Sequence, residues 1–461
     1  MREQSFRDSA ETATMRAMPT PQRAAQLMRR LPRKVVVLLR QLGKMADEAG
    51  IQLYLVGGVV RDLLLKRENW DLDLTVEGDG IAFARLVADR YGAGLALFER
   101  FATARLTCSN GLKVDIASTR SESYVQPAAL PNVQPAALQA DLYRRDFTIN
   151  AMAIQLNAGQ FGLLHDPFGG ARDLRAGILR VLHEGSFRDD PTRMFRAVRF
   201  LQRFGFRLEP KTRRLLFEAA ALNMIRRLSG PRLCNEVLLL FGERHPERAI
   251  DLLARLKLLR FLHPCIRYAG MTKRLVASVP FAVAWWEKER FAPSADRSLV
   301  YLMALLSDIG LSEARSVARR LQLSSVQCRA VELAGQSTGR ISDILSRREF
   351  VSPSRAYRLL ADLPPEALVL IVAKSRTWHG KEGWIRCRQR LTRYLKRDRF
   401  IKIAVGGKDL VDIGLKPGPV YKRVLDRLVN AKLDGALPSE AAEREMAAQL
   451  AHRAIARSSR L

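Results

Sequence analysis

Apolar and polar residues follow two different periods along this chain, and the passage from one to the other divides it. KVVVLLRQLGKMADEAG (34–50) sets apolar residues three and four apart, which predicts an amphipathic helix ending at Gly50. IQLYLVGG (51–58) predicts a strand running into a glycine turn, VVRDLLL (59–65) the start of a helix, and WDLDLTV (70–76) the next strand. GIAFARLVADRYG (80–92) reads as a further helix. ARLTCS (104–109) and LKVDIAS (112–118) read as strands joined by Asn110-Gly111, a pair that favours hairpin turns. The stretch from Gly92 to Thr107 is loop-rich. YVQPAALPNVQPAAL (124–138) writes QPAAL twice, and Pro127, Pro131 and Pro135 predict an extended loop. FTINAMAIQL (147–156) reads as helical. Strands and helices mixed in this way predict one compact α/β domain.

From about residue 179 the three-and-four spacing takes over. PTRMFRAVRFLQRF (191–204), KTRRLLFEAAALNMIRRL (211–228), NEVLLLF (235–241) and AIDLLARLKLLRFL (249–262) all predict helices. Proline and glycine breaks put boundaries near 178, 240 and 350. The expected architecture is an α/β head followed by a long helical body.

Composition narrows the partners. With 461 residues, 48% of them hydrophobic, the chain can bury a substantial core in several domains. Lys and Arg number 77 against 47 Asp and Glu, a formal net charge of +30. Such an excess points to a polyanion, nucleic acid or an anionic membrane surface, although an Arg-rich proteome would produce it too. The five cysteines, Cys108, Cys234, Cys265, Cys328 and Cys387, show no C-x-x-C spacing, so neither a zinc site nor a disulfide framework is expected, and a reducing, cytoplasmic setting fits. No apolar run is long enough to span a bilayer, and no membrane partner is expected. Residues 1–33 lack the apolar core of a signal peptide, and Glu3, Asp8 and Glu11 argue against an organelle presequence. A basic, poorly ordered extension is expected there.

Candidate chemistry begins at NWDLDLTVEG (69–78). Side chains two apart on a strand share a face, so Asp71 and Asp73 project together and repel unless a cation sits on them. Mg²⁺ bound by one or two carboxylates and substrate phosphates meets that demand. A half-exposed strand with its aspartates in water is the plainer alternative. Upstream, LVGGVVRD (55–62) places Gly57 and Gly58 at a strand-to-helix turn, where backbone can approach a phosphate, and Arg61 supplies a cation. Strand, Gly-Gly turn, helix and D-x-D together suit a nucleoside triphosphate. Asp115 in KVDIAS is a third acid for a neighbouring strand; an ordinary edge aspartate is the alternative.

These motifs, in this order, resemble the class II tRNA nucleotidyltransferase and bacterial poly(A) polymerase family, within the DNA polymerase beta-like nucleotidyltransferases. LVGGVVRD…WDLDL resembles its first motif, RRDFTINAMA (144–153) its second, DPFGGARDL (166–174) its third and DDPTRMFRAVRF (189–200) its fourth. The likeness is specific over roughly residues 50 to 210. It implies a nucleotidyltransferase head with a mixed sheet at 34–178, a nucleotide-selecting helical neck at 179–240, a helical body at 241–350 and a basic, RNA-binding helical tail at 351–461. It implies that Asp71 and Asp73 hold Mg²⁺, and that Gly58 and Arg61, with Gly57, meet the triphosphate. Arg145 would bind phosphate, Asp146 the ribose hydroxyl, and Asn150 would support that site. The family usually carries Glu-Asp before the proline of the fourth motif, where this chain has Asp189-Asp190.

The fourth motif carries base choice. Asp190 and Arg193 are three apart and would share a helix face. A carboxylate only accepts hydrogen bonds and a guanidinium only donates. Adenine and cytosine offer an amino donor beside a ring-nitrogen acceptor; guanine and uracil offer a carbonyl and a ring N–H. One Asp with one Arg therefore suits ATP and CTP. An intrahelical ion pair is the alternative. Arg196, one turn on, would reach the phosphates, and Met194, Val198 and Leu201 form the core-facing stripe.

By resemblance, the RNA 3′-hydroxyl attacks the α-phosphate of ATP or CTP at a two-metal Mg²⁺ site, and pyrophosphate leaves. The expected activity is untemplated addition of all or part of CCA to tRNA. Poly(A) polymerase, which shares the motifs, is the alternative. A silent RNA binder is disfavoured by the intact carboxylates, and a small-molecule antibiotic nucleotidyltransferase by the long basic body. In the tail, RCRQRLTRYLKRDRFIK (386–402) and the Pro417-Gly418-Pro419 turn make Arg386, Arg390, Arg393, Lys396, Arg397 and Lys416 the expected RNA contacts, a solvated basic face being the alternative. LLSDIG (305–310) lacks the His-Asp pair of a metal-dependent phosphohydrolase, so none is expected, and the sequence leaves protein partners open.

Overall fold

The computed structural model describes residues 27–99, 102–129 and 131–458. The chain divides into two compact units, one running to Glu236 and one from Val237. The sequence boundary at 178 falls inside the first unit.

The first unit is built on a seven-stranded mixed sheet. In chain order it runs α1 (Arg33–Glu48), β1 (Gln52–Val56), α2 (Gly58–Leu64), β2 (Leu72–Glu77), α3 (Gly80–Tyr91), β3 (Gly94–Phe98), β4 (Thr103–Thr107) and β5 (Lys113–Ser118). A separate hairpin of β6 (Arg120–Ser123) and β7 (Asn132–Pro135) leads through α4 (Leu138–Tyr143) to β8 (Ala153–Gln155) and β9 (Leu164–His165). The sheet order is β3-β4-β5-β2-β1-β8-β9. β2 and β5 run parallel, and the other neighbours run antiparallel. One sheet face is sealed: Leu72, Leu74, Val76, Ala104, Leu106, Val114 and Ile116 are buried there. Their alternation leaves Asp73 and Asp115 on the other face.

Short helices α5 (Gly170–Ala176) and α6 (Ser186–Asp189) precede α7 (Thr192–Phe204), α8 (Pro210–Ala221) and α9 (Gly230–Phe241). Met194, Val198 and Leu201 are buried along α7, as its stripe requires.

Four local expectations change. The helix expected over 147–156 is a single 3-10 turn, Thr148–Asn150, followed by β8. Ala151, Met152, Ala153, Ile154 and Leu156 are all fully buried, as is Gln155 among them at 2% exposure, and burial on every side suits an inner strand rather than a two-faced helix. β3 occupies part of the stretch expected to be loop. It is an edge strand with little burial, so it carries no alternation to read. The QPAAL segment is partly a strand, since β7 pairs with β6. The expected loose extension ends earlier than residue 33. Residues 1–26 lie outside those described, but Leu27, Met28 and Leu31 are buried.

The second unit is helical among the described residues. It runs from α10 (Pro246–Arg255) through α11 (Gly270–Lys288), α12 (Arg297–Leu305), α13 (Leu311–Leu321), α14 (Ser325–Leu333), α15 (Gln336–Ser346) and α16 (Pro353–Leu360) to the long α17 (Pro365–Lys396). Gly380, at φ 61°, kinks α17. Lys374 is buried there at 1% exposure and donates to the Ala334 and Gly335 carbonyls at 2.6 and 2.8 Å, at the end of α14. Last come α18 (Gly407–Asp412), α19 (Pro419–Leu433) and α20 (Glu440–Ser458), packed through Leu410, Val424, Leu428, Ala447 and Leu450. No helix among the described residues is long and apolar enough to cross a membrane.

Candidate active site

A cleft of about 560 Å³ opens on the first unit. Gly57, Gly58, Arg61, Asp71, Asp73, Arg145, Asp146, Asn150, Asp190, Arg193 and Arg196 all line it. Four segments far apart in sequence thus meet at one site.

β2 supplies the carboxylates. Asp71 is exposed just before the strand and Asp73 is half-buried within it. Burial, with the Asp71 charge beside it, pushes the Asp73 carboxyl up to about 6. Two carboxylates held together against their own repulsion are a donor set that a divalent cation would relieve, and this chemistry fits Mg²⁺. Asp115 stands directly opposite Asp73 on β5, but its two oxygens take Arg105 Nε and Nη2, each at 2.7 Å. No group of three or more potential metal ligands forms among the described residues. Substrate phosphate and water would have to complete the shell.

The glycine turn does what its sequence suggests. Gly57 has φ 77°, a conformation that glycine alone adopts cheaply. A Cβ there would come within 3.2 Å of Arg145 Nη1 and 3.5 Å of Asp73 Oδ2, so the missing side chain keeps open the space between cation and carboxylate. Arg145 donates from Nη2 to Asp141 Oδ2 at 2.8 Å, while its buried Nε has no partner among the described residues. Arg61 is 4% exposed and grips Asp62 through Nε and Nη2 and Asn150 Oδ1 through Nη1. It ties the first motif to the second, so the guanidinium expected to meet phosphate is largely engaged within the protein.

Asp146 is buried, and both its oxygens are occupied. Oδ1 accepts from Phe147 N and Asn150 Nδ2, and Oδ2 accepts from Arg196 Nε at 2.8 Å. Burial opposes its ionisation, but the Arg196 charge and the Asn150 bond hold its carboxyl below the usual range. A ribose hydroxyl would have to enter this network beside Arg196.

Asp190 and Arg193 do not share a helix face. Asp190 is extended at φ −129°, Pro191 caps α7, and the Asp190 carbonyl accepts from Arg193 N in a turn. The proline starts the helix one residue after Asp190, which leaves Asp190 outside it. The two side chains still converge on the cleft. Asp190 Oδ1 accepts from Thr192 N, Thr192 Oγ1 and Arg232 Nη2, at 3.0, 2.6 and 2.8 Å. Oδ2 has no partner among the described residues. Arg193 donates to Ser186 Oγ and to the Arg144 carbonyl.

Arg232 was not legible as a site residue. It comes from α9, lines the cleft, and donates from Nη1 to the Ala128 carbonyl at 3.0 Å. Glu236, one turn on, faces Arg196 and Arg199 at 3.6 and 3.7 Å. Glu122 and Arg144, also in the lining, pair with each other at 2.9 Å. None carries a local pattern that separates it from surface charge.

The expected RNA contacts lie in the second unit, and most have intrachain partners. Arg390 donates to the Ile344, Leu345, Arg347 and Glu349 carbonyls, closing the end of α15. Arg386 holds the Ser346 carbonyl, Arg393 pairs with Asp398, and Lys396 with Glu289. Arg393, Lys396 and Arg397 nevertheless line a second cavity of about 550 Å³, and Lys416 is exposed.

Comparisons with known proteins show what this chain is similar to. Residues 53–180 match the family described as "Poly A polymerase head domain", and 205–269 match "Probable RNA and SrmB- binding site of polymerase A". The chain is 40% identical over 427 residues to an A-adding tRNA nucleotidyltransferase of Geobacter sulfurreducens, covering 92% of this chain and 48% of that protein. This chain thus spans about half the length of that relative. It is 34% identical to an A-adding tRNA nucleotidyltransferase of Halalkalibacterium halodurans, covering 84% and 86% respectively. Among solved structures, the Thermotoga maritima CCA-adding enzyme complexed with tRNA superposes with a TM-score of 0.74 at 33% identity, over 93% of this chain and 98% of that one. A CCA-adding enzyme in complex with CTP superposes at 0.77 and 32% identity, over 92% and 97%.

Proposed function

Because the chain belongs to the family of tRNA nucleotidyltransferases and poly(A) polymerases, we propose that it extends the 3′ end of tRNA without a template, releasing pyrophosphate. The observation that carries this is the convergence of Asp71, Asp73, Arg145, Asp190 and Arg193 on one cleft. Two relatives that match over most of this chain bear the name A-adding, which favours a single adenosine placed on a tRNA ending in CC. CTP use, and addition of CC or CCA, are the other outcomes within the same reading. Poly(A) synthesis is not favoured, because the relatives are named for tRNA.

Mg²⁺ held at Asp71 and Asp73 would supply Lewis-acid stabilisation of charge on the transferring phosphoryl group. The protein's own groups do the rest. Arg145, whose Nη1 lies beside Gly57, binds the triphosphate. Asp190 turns its unpaired Oδ2 toward the adenine amino group, while Arg193 donates to the ring nitrogen beside it. Guanine and uracil would set a carbonyl against the carboxylate and a ring N–H against the guanidinium, which costs both contacts. Asp146 fixes Arg196, and Asn150 links that pair to Arg61.

Incorporation of ATP into CC-ended tRNA tests the reading. Asp71→Ala and Asp73→Ala should each lower kcat by at least about a thousandfold, in line with removal of a principal electrostatic group. Equal rates in the parent and both variants would overturn it.

A further inference from the structure

The cleft stops at Asp71 and Asp73; neither Asp115 nor Arg105 lines it. Beyond them the same sheet face continues across β5, β4 and β3. Asp73, Asp115, Arg105 and Ala96 are successive register partners on four adjacent strands, and therefore share one face. Lys113 on β5 and Phe98 on β3 lie on the same face, two residues from this row in opposite directions along the strands. Among the described residues nothing covers this stretch: the Arg105 side chain is 47% exposed, Phe98 is 47% exposed, and Lys113 and Ala96 are exposed. An uncovered sheet face bearing two cations and an exposed aromatic, continuous with the reacting carboxylates, has the make-up of a single-strand platform.

Its side of the carboxylates also matters. Gly57, Gly58 and Arg145, which bind the triphosphate on the reading above, lie on the β1 flank of β2. Attacking and leaving oxygens are in line in phosphoryl transfer, so the attacking hydroxyl must arrive from the opposite, β5 flank.

We propose that the open face of β3, β4 and β5 receives the single-stranded 3′ end of the RNA, with Arg105 on its last phosphodiester and Phe98 beneath a base. Asp115 is then a positioning residue. Its bidentate grip uses two of the five guanidinium N–H donors and fixes the plane in which three are presented to the phosphate. This inference rests on the RNA 3′-end reading above.

The test is a two-way cycle. CC-ended tRNA is prepared with a natural or an uncharged methylphosphonate linkage before its last nucleotide, and kcat/KM for RNA is measured at saturating ATP. In the parent the neutral linkage should cost about tenfold, as loss of a charge-assisted hydrogen bond does. Arg105→Gln should cost about the same on natural RNA, lose less than about twofold more on the neutral linkage, and leave KM for ATP unchanged. Arg105→Lys should recover part of the loss. Phe98→Ala should raise KM for tRNA about fivefold or more, and Phe98→Trp should restore it, because stacking tolerates any π-face. Additive losses, or a change in KM for ATP with none in KM for tRNA, would overturn the proposal. If the parent extends no tRNA, the functional reading falls; the same cycle read as Kd for CC-ended tRNA then still decides this one.

Discussion

On the proposed reading, two side chains would matter most at the residue scale. Asp73 holds its proton up to about pH 6 when folded, against 3.8 as an ordinary carboxyl, so the native state binds more protons than the unfolded chain across that window. Stability of the metal-free protein should therefore fall as pH rises from about 4 to about 6. Asp73→Asn removes the effect: its advantage over the parent should grow through that window to about 3 kcal/mol. Urea melts with EDTA at pH 4 and pH 7 check this, and a pH-independent difference would refute it. On the proposed reading, Arg232 would act on base choice through Asp190. With Oδ1 held by Arg232 and Thr192, Oδ2 is the atom left for an amino donor. Arg232→Gln frees the carboxylate to turn. KM for ATP should rise about tenfold, and the preference for ATP over GTP should shrink, with little change in Tm. Steady-state incorporation of each nucleotide measures both.

At the scale of elements, Arg390 shows how a basic helix conceals structural work. Its guanidinium closes the last carbonyls of α15, which have no partner inside the helix. Arg390→Ala should lower stability by about 2 kcal/mol, seen as a fall in Tm, instead of only weakening RNA binding. The sequence could not reveal this, because the carbonyls lie more than forty residues upstream. The elements that were legible have a local cause: α1 and α7 show a clear apolar stripe, β4 and β5 a hairpin pair between them, and β2 an alternation that put Asp71 and Asp73 on one face. β8 was mistaken for helix because burial on both faces erases the period that separates strand from helix. β3 was missed for the opposite reason, being open on both. Asp190 and Arg193 were found through their motif, but Pro191 breaks the helix assumed to join them. Arg232 was invisible in the sequence because packing, and nothing near it in the chain, carries it to the cleft, and Arg105 because register alone sets it opposite Asp115 on the proposed platform.

For the whole molecule, the net charge of +30 is the electrostatic footprint of an RNA partner on this account. Arg397 and Lys416 should each contribute to tRNA affinity without affecting the fold. Alanine at either should reduce the slope of log Kd against log salt by about 1, with Tm unchanged; filter binding from 50 to about 300 mM salt reads it. The most direct test of the central claim is incorporation on three matched tRNAs, ending before CCA, after CC and after CCA, given ATP, CTP or both, beside an unrelated RNA. The account predicts one adenosine on the CC-ended tRNA, nothing on the completed tRNA or the unrelated RNA, and loss of the product in Asp71→Ala. Long adenosine tails on any RNA, or no incorporation by a parent indistinguishable from Asp71→Ala, would contradict it.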